Sequence, residues 1–196
     1  MRLIDFFIPT ISKTLQLVGD ANQAAQPYTE IRDELSSCLG QGEAQARRAG
    51  YEPEDVQAAK FAVAAFLDET IQLSSWSGRE EWAVRSLCRL LFSTGNAGVE
   101  FFSLLENLSS GKKQVREVFG LCLALGFKGR YYDDNDGPEI EKIIASKLKD
   151  IFGRPVERLN LATLRLFPEA YTDLQGGNRG RLWRIPDLFN LFAFLT

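Results

Sequence analysis

Two adjacent acids, Asp68 and Glu69, end an apolar segment that runs from Phe61 to Leu67. A pair of carboxyl groups can perform acid–base chemistry on one bond, as in glycosidases. If the segment is a helix, however, neighbouring side chains point about 100° apart. The two carboxylates then diverge and cannot flank one bond. The spacing therefore argues against a carboxylate-dependent hydrolase, which would also need a cleft that raises a carboxyl pKa.

Two other interpretations of the acidic pair stay open. In the structural interpretation, both carboxylates are partly buried and are bound to Arg, to Lys or to amides at helix ends. In the interaction interpretation, the pair contacts a partner protein. The residues themselves favour the first, and a role in partner binding is the second hypothesis.

Histidine is absent from the chain, which excludes Ser-His-Asp and Cys-His nucleophiles and His-ligated zinc. The three cysteines, Cys38, Cys88 and Cys122, are far apart and form no CxxC pair. An uneven number of widely spaced cysteines is typical of reduced thiols in the cytosol. We therefore expect no catalytic residue, and we expect Cys88 and Cys122 to be inert thiols on apolar helical stripes. The stripe that contains Cys122 also contains Val115, Val118, Phe119 and Leu125.

The segment Gly126-Phe127-Lys128-Gly129-Arg130 has the GxxG spacing with which KH domains clamp a nucleic-acid backbone. A KH domain needs strands, and this chain has no run of alternating β-branched residues. Three aspartates follow within the next six residues and would repel phosphate, and the formal net charge is −3. A helix stop with glycine in the left-handed position explains the segment better. A helical RNA-binding regulator that uses Gly126–Arg130 remains the alternative from another functional class.

No other motif indicates a metal or a nucleotide. The acidic run 132–137 fails as a calcium loop, because Tyr132 and Ile143 would stand where ligand acids are required. Neither a Walker A sequence nor a GxGxxG sequence is present. We expect no metal, no cofactor and no nucleic-acid partner.

The elements that must position these residues are helices. The chain has 196 residues, 45% of them hydrophobic and 25% charged, which fits one globular domain. Apolar residues at helical spacing predict an all-α fold of about seven or eight helices, with the segment around Phe61–Leu67 at its centre. The first helix should be bent near Pro9, and Gly42–Arg48 should be an exposed extension of the second. One helix should carry both Trp82 and Leu91.

The last residues differ from the rest. Leu188–Leu195 is apolar apart from Asn190, and Trp183 with Arg179, Arg181 and Arg184 precedes it. An aromatic residue with cations is typical of the cytoplasmic boundary of a membrane helix. The predicted organisation is a cytoplasmic helical domain over 1–186 and the start of a transmembrane helix over 187–196. A docked terminal helix is the alternative.

Several motifs in order resemble one family. They are Phe61-x4-Phe66-Leu67-Asp68-Glu69, Trp76, Trp82, Leu91-Phe92, Phe101-Phe102-x2-Leu105-Glu106 and the continuous stretch from Arg116 to Tyr131. Together they are similar to the cytoplasmic domain of the DotU/IcmH family, the TssL subunit of bacterial type VI secretion systems. The resemblance covers most of the chain and is strongest from about 56 to 132.

The resemblance implies a hook-like pair of packed helical bundles without enzymatic activity. It implies a single-pass protein of the bacterial inner membrane whose domain faces the cytoplasm. The implied partners are TssM-like and TssJ-like core proteins and a TssK-like baseplate protein, together with a possible homodimer. A related type IVB machine carries the same subunit and is the alternative. The residues expected to bind partners are Asp68, Glu69, Trp76, Lys128 and Arg130.

We predict that 187–196 begins a single transmembrane helix, because its apolar run of Leu and Phe follows Trp183 and three arginines. The run supplies less than half of the roughly 20 residues that a span requires, so the isolated 196-residue chain should be soluble. The native product should instead fractionate with membranes. Sequencing the gene past codon 196 and fractionating cells that make the native product checks this. A stop codon at that point with a wholly soluble product would favour the docked helix.

Overall fold

The computed structural model describes residues 1–19, 26–131 and 137–156. Within these ranges the chain is all-α and contains no strand, which confirms the predicted fold class. Its helices are α1 (Ile8–Gly19), α2 (Tyr28–Arg48), α3 (Pro53–Gln72), α4 (Arg79–Val84), α5 (Leu87–Phe92), α6 (Ala97–Asn107), α7 (Lys113–Ala124) and α8 (Gly137–Phe152). Short 3₁₀ turns cover Leu3–Phe6 and Gly129–Tyr131.

Helix α3 is the centre of the domain, as its sequence predicts. Pro53 occupies the first turn, where a missing amide hydrogen does no harm, and Glu54 and Asp55 complement the amino-terminal dipole. Every residue from Phe61 to Asp68 is buried. The helix packs against α1, α2, α4, α5, α6 and α7. Burial of a side chain as large as Phe66 stabilises such a core by about 1.5–3 kcal/mol.

The amino terminus is packed into this core. A 3₁₀ turn ends at Phe6 and α1 begins at Ile8, so the predicted bend lies at Phe7 and Pro9 lies in the first turn of α1. Phe7 is fully buried. The amide of Leu3 donates to Oε1 of Gln114 on α7 at 2.9 Å.

The second half of α2 differs from the prediction of an exposed extension. Gly42 and Ala46 are buried. A Cβ at Gly42 would lie 2.5 Å from the carbonyl oxygen of Phe6, so the amino-terminal turn requires glycine there. Glu43 accepts from Nζ of Lys60 on α3 at 2.8 Å. The sequence prediction was wrong on this face because a small side chain leaves no apolar signal.

The predicted single helix from Trp82 to Leu91 is two helices. Helix α4 ends at Val84, and α5 begins at Leu87. Ser86 between them is extended, with φ −69° and ψ 167°, and its side chain accepts the Arg89 amide. Apolar periodicity continues through the break, so the pattern alone predicts one helix.

Helices α6, α7 and α8 form the other side of the domain. The predicted stripe of α7 is confirmed, because Val115, Val118, Phe119, Cys122 and Leu125 are all buried. Helix α7 packs against α8 and α3. Phe101 and Phe102 of α6 lie in an aromatic cluster, in which the Phe101 ring centroid is 4.6 Å from that of Phe119.

Some predictions fall outside the described residues. The acidic run is described only from Gly137, and 187–196 is not described. In the described ranges no helix combines the length and the apolar character that a membrane crossing needs. The same ranges hold no cluster of three or more metal-ligating side chains.

We predict that reagents for free thiols label Cys88 and Cys122 slowly in the native protein and label all three cysteines in denatured protein. Both side chains are buried, and Cys38 is half-buried. Burial raises the pKa of the Cys88 thiol, and the nearby Asp68 carboxylate adds to the rise. Burial also raises the pKa of Cys122, so neither forms the reactive thiolate readily. Thiol titration with mass spectrometry measures this, and rapid native labelling of Cys88 would contradict it.

Candidate functional site

The acidic pair lies in the last two turns of α3, where the helix leaves the core. Asp68 is buried and Glu69 is half-buried. Their carboxylates point to different parts of the chain, as the helical spacing predicts. Each binds backbone amides, which agrees with the structural interpretation of the pair.

Asp68 binds the segment that joins α4 to α5. Its Oδ1 accepts from the indole Nε1 of Trp82 at 2.8 Å and from the amide of Leu87 at 2.9 Å. Its Oδ2 accepts from the amide of Cys88 at 2.8 Å. Leu87 and Cys88 are the first two residues of α5, whose amides have no acceptor within the helix. Asp68 therefore satisfies three donors in the core at once.

This arrangement explains why α4 and α5 are separate. The chain must turn at Arg85 and Ser86 to direct two amides at one carboxylate on α3. Burial raises the pKa of the Asp68 carboxyl, and the amides of Cys88 and Leu87 and the Trp82 indole oppose the rise.

Glu69 binds a different segment from the one that Asp68 binds. Its Oε1 accepts from the amide of Lys128 at 2.8 Å, and its Oε2 accepts from the amide of Gly129 at 2.7 Å. Both carboxylate oxygens are therefore engaged by the loop that follows α7. We call Phe127–Tyr131 the α7 loop.

Two glycines give the α7 loop its shape. Gly126 has φ +109°, and the amides of Gly126 and Phe127 donate to the carbonyls of Leu123 and Cys122. This pattern is a Schellman motif, so the predicted helix stop is confirmed. Gly129 has φ +53°, and a Cβ there would lie 2.8 Å from the carbonyl oxygen of Gly98. A side chain at Gly129 would therefore be both strained and blocked by α6.

The hydrogen bonds that the Lys128 and Gly129 amides donate to Glu69 are relevant to the KH-like interpretation of Gly126–Arg130. A GxxG clamp binds phosphates through exposed backbone donors. Here the amides of Lys128 and Gly129 bind Glu69 instead. The exposed side chains of the α7 loop in this arrangement are those of Lys128 and Arg130.

The two predicted cations of the α7 loop differ in their surroundings. Lys128 is exposed, and its side chain forms no hydrogen bond or ion pair with the described residues. Arg130 donates to Glu106 at 3.0 Å and lies over the rings of Phe102 and Tyr131, 4.9 and 5.0 Å from their centroids. Cation–π contacts and an ion pair together hold a guanidinium in one orientation.

The residues that hold Arg130 cannot be identified from the sequence alone. Glu106 also binds Nζ of Lys147 on α8 at 3.2 Å, and Lys147 lies over the Phe102 ring. Glu106 and Phe102 are part of the motif that carries the family resemblance, but nothing in their spacing indicates a contact with α8. The two partners of Glu106, Arg130 and Lys147, lie 24 and 41 residues further along the chain.

Trp76, the remaining predicted partner-binding residue, is 2% exposed. Its ring meets Trp82 edge-on, with centroids 6.0 Å apart. Its indole nitrogen is buried and has no hydrogen-bond partner among the residues that the structure describes. The structure brings Trp76, Trp82 and Asp68 together in the core, and brings Glu69 to Lys128, apart from that cluster.

Comparisons with known proteins give a consistent result. The family model described as "Type VI secretion system protein DotU" matches residues 2–186. The cytoplasmic domain of TssL from Acinetobacter baumannii is similar at 28% identity and a TM-score of 0.67, over 77% of this chain and 97% of that one. No curated protein matches the chain.

Two further solved structures are similar in fold alone. TssL from Vibrio cholerae has 24% identity and a TM-score of 0.65, over 77% of this chain and 95% of that one. SciP/TssL from enteroaggregative Escherichia coli 042 has 20% identity and a TM-score of 0.58, over 94% and 97%. The fold and the site thus define an all-α domain of the type found in TssL proteins. The chain belongs to the DotU family of type VI secretion system proteins.

We predict that Asp68→Ala lowers the free energy of unfolding by roughly 3–5 kcal/mol, because three buried donors lose their acceptor. Asp68→Asn should lower it by only about 1–2 kcal/mol, because an amide oxygen can still accept from Trp82 and Leu87. Urea unfolding measures both values.

Glu80→Ala is the matched control, since Glu80 is an exposed acid on α4. Its effect should stay within about 0.5 kcal/mol. Equal stability of the Asp68→Ala and Glu80→Ala variants would show that the three donors find other acceptors.

Proposed function

We propose that this chain is a structural subunit of the membrane core complex of a type VI secretion system. It scaffolds baseplate and membrane partners on the cytoplasmic side of the inner membrane. The observation that carries the proposal is the family match over residues 2–186. The likeness to the Acinetobacter baumannii domain, at 28% identity, supports it. The solved structures named above are all TssL proteins, which supports a type VI system over a type IVB machine.

The proposed partners are those that the family resemblance implies. They are TssM-like and TssJ-like proteins of the core complex, a TssK-like protein of the baseplate, and a second copy of this chain. The proposed anchor is a transmembrane helix that begins with the apolar run within 187–196, with the helical domain before it in the cytoplasm. This division is supported by the family match, which ends at residue 186.

A scaffolding role fits the chemistry of the site better than catalysis. Asp68 has all its described contacts in the core, and Glu69 has both oxygens on amides of the α7 loop. The two carboxylates therefore share no space in which a substrate bond could lie between them. The chain has no histidine that could serve in their place.

The predicted partner-binding residues divide into two groups by exposure. Lys128 and Arg130 lie at the surface and can contact a partner directly. Asp68 and Trp76 are buried, so we propose that they influence binding only by positioning α4 and α5. Glu69 lies between the two groups, because it joins the core helix to the α7 loop.

We predict that the native gene product, returned to a bacterium that lacks its own copy, is isolated with the TssM-like and TssJ-like proteins from detergent-solubilised membranes. The purified chain should also bind the TssK-like protein in isothermal titration, because a scaffold must contact both complexes. Mass spectrometry of the isolated complex identifies the core partners.

An electrophoretic mobility assay with RNA is the control for the other functional class. A chain that shifts RNA and captures neither core nor baseplate protein would overturn the proposal. Capture of the partners without an RNA shift would support it.

A further inference from the structure

The segment that joins α3 to α5 is held to the core by few side chains. It covers residues 74–86 and contains α4, and we call it the strap. Its buried residues are Trp76, Trp82 and Ser86, and most of the others are exposed. Helix α4 has only 6 residues and packs chiefly against α3. A helix of this length is not stable by itself, so the strap depends on the contacts of its two tryptophans.

The carboxyl-terminal half of the strap is held by two side-chain hydrogen bonds. Nε1 of Trp82 donates to Oδ1 of Asp68 at 2.8 Å. The hydroxyl of Tyr28 on α2 donates to the carbonyl oxygen of Arg85 at 2.6 Å. The Tyr28 and Trp82 rings also meet edge-on, with centroids 5.8 Å apart. These contacts join this half of the strap to α3 and to α2.

The amino-terminal half of the strap is held by the buried ring of Trp76. The ring lies directly on Gly78, where a Cβ would be 2.4 Å from it. The indole nitrogen finds no acceptor within the described part of the chain. A buried donor without an acceptor destabilises the state that buries it, and water satisfies the donor once the ring is exposed. Packing and hydrogen bonding therefore oppose each other at Trp76.

The strap also has contacts within itself. The amide of Arg79 donates to the carbonyl of Trp76 at 3.2 Å, and the amide of Trp82 donates to the carbonyl of Gly78 at 3.0 Å. The two tryptophan rings meet edge-on. Because these contacts join the two halves of the strap, loss of either half from the core weakens the attachment of the other.

We propose that the strap opens as one unit, with its two ends as hinges, while the rest of the domain stays folded. The carboxyl-terminal hinge is Ser86, whose backbone is extended between two helices. Opening exposes Trp76 and Trp82 and removes the indole donor from Asp68. Helix α5 stays in place, because its first two amides remain on that carboxylate. The domain therefore switches between two surfaces at the end of α3, and this opening requires no partner protein.

Native-state hydrogen exchange of the full 196-residue chain, followed by NMR at low urea concentrations, tests the opening. The indole protons of Trp76 and Trp82 should give one common opening constant, at least about a hundredfold larger than that of the Phe119 and Cys122 amides in α7. Urea should change this constant only weakly, because opening of the strap exposes little surface. The Trp183→Phe variant identifies the third indole signal.

Two results of this measurement would contradict the proposal. If the strap and α7 share one opening constant and one urea dependence, the strap opens only when the whole domain unfolds. If the Trp76 and Trp82 indoles differ in their opening constants, the strap is not one unit.

Tyr28→Phe tests the coupling between the two halves. The variant keeps the ring and removes only the hydroxyl that binds Arg85, so the opening constant should rise about fivefold. The rise should be equal at the Trp76 and Trp82 indoles, although only the carboxyl-terminal half has lost a bond. A rise confined to Trp82 would refute the single unit.

Tyr51→Phe is the matched control for the loss of a hydroxyl. The Tyr51 hydroxyl forms hydrogen bonds with Met1 and Gln114 and none with the strap. Both indole opening constants should therefore change by less than about twofold. A rise equal to that in Tyr28→Phe would mean general destabilisation and would rule out a separate opening of the strap.

Gly78→Ala tests the other half. Its φ of −82° and ψ of 1° suit alanine, but the added Cβ must displace the Trp76 ring. The opening constant should rise at least about tenfold at both indoles, while exchange in α7 stays unchanged. Gly40→Ala is the control, since nothing lies within 4 Å of a Cβ there, and it should leave both indoles unchanged. An opening constant in Gly78→Ala equal to that in Gly40→Ala would show that Trp76 does not hold the strap, and the proposal would fail.

Discussion

Two adjacent carboxylates on the central helix accept hydrogen bonds from the backbone amides of two separate segments. Apolar contacts pack α3 against its neighbours, but such contacts are not directional and cannot orient a turn. Asp68 orients the start of α5, and Glu69 orients the α7 loop. Successive side chains on a helix point about 100° apart. The dipeptide Asp68-Glu69 can therefore bind two segments, each through a different face of the helix. The orientation of the start of α5 and of the loop after α7 depends on this pair.

The same hydrogen bonds connect stability to function. Asp68 lies in the core, where an unpaired donor or acceptor is costly, so it acts on the fold. Glu69 lies where the core meets the surface, so it acts on a loop that carries charged side chains. Acidic residues of this kind can influence partner binding without contacting the partner. An interaction defect after substitution of the pair is therefore not by itself evidence of an interface residue.

The surface beside the α7 loop is built from distant parts of the chain. Glu106 of α6 and Lys147 of α8 meet Arg130, and Phe102 lies beneath both cations. Stacking and ion pairing restrict the long side chains and reduce the entropy lost on binding. The surface belongs to a chain of the DotU family of type VI secretion system proteins.

The sequence alone determined the all-α class, the central position of α3, the buried stripe of α7 and the helix stop at Gly126. Each follows from local properties, namely apolar periodicity or the φ that glycine tolerates. Only the tertiary structure decided the break between α4 and α5, the burial of Gly42 and the contacts of Asp68 and Glu69. Asp68 binds amides 19 and 20 residues away, and Glu69 binds amides 59 and 60 residues away. Hydrogen bonds over such separations leave no periodic signal, because their geometry exists only once the helices have packed.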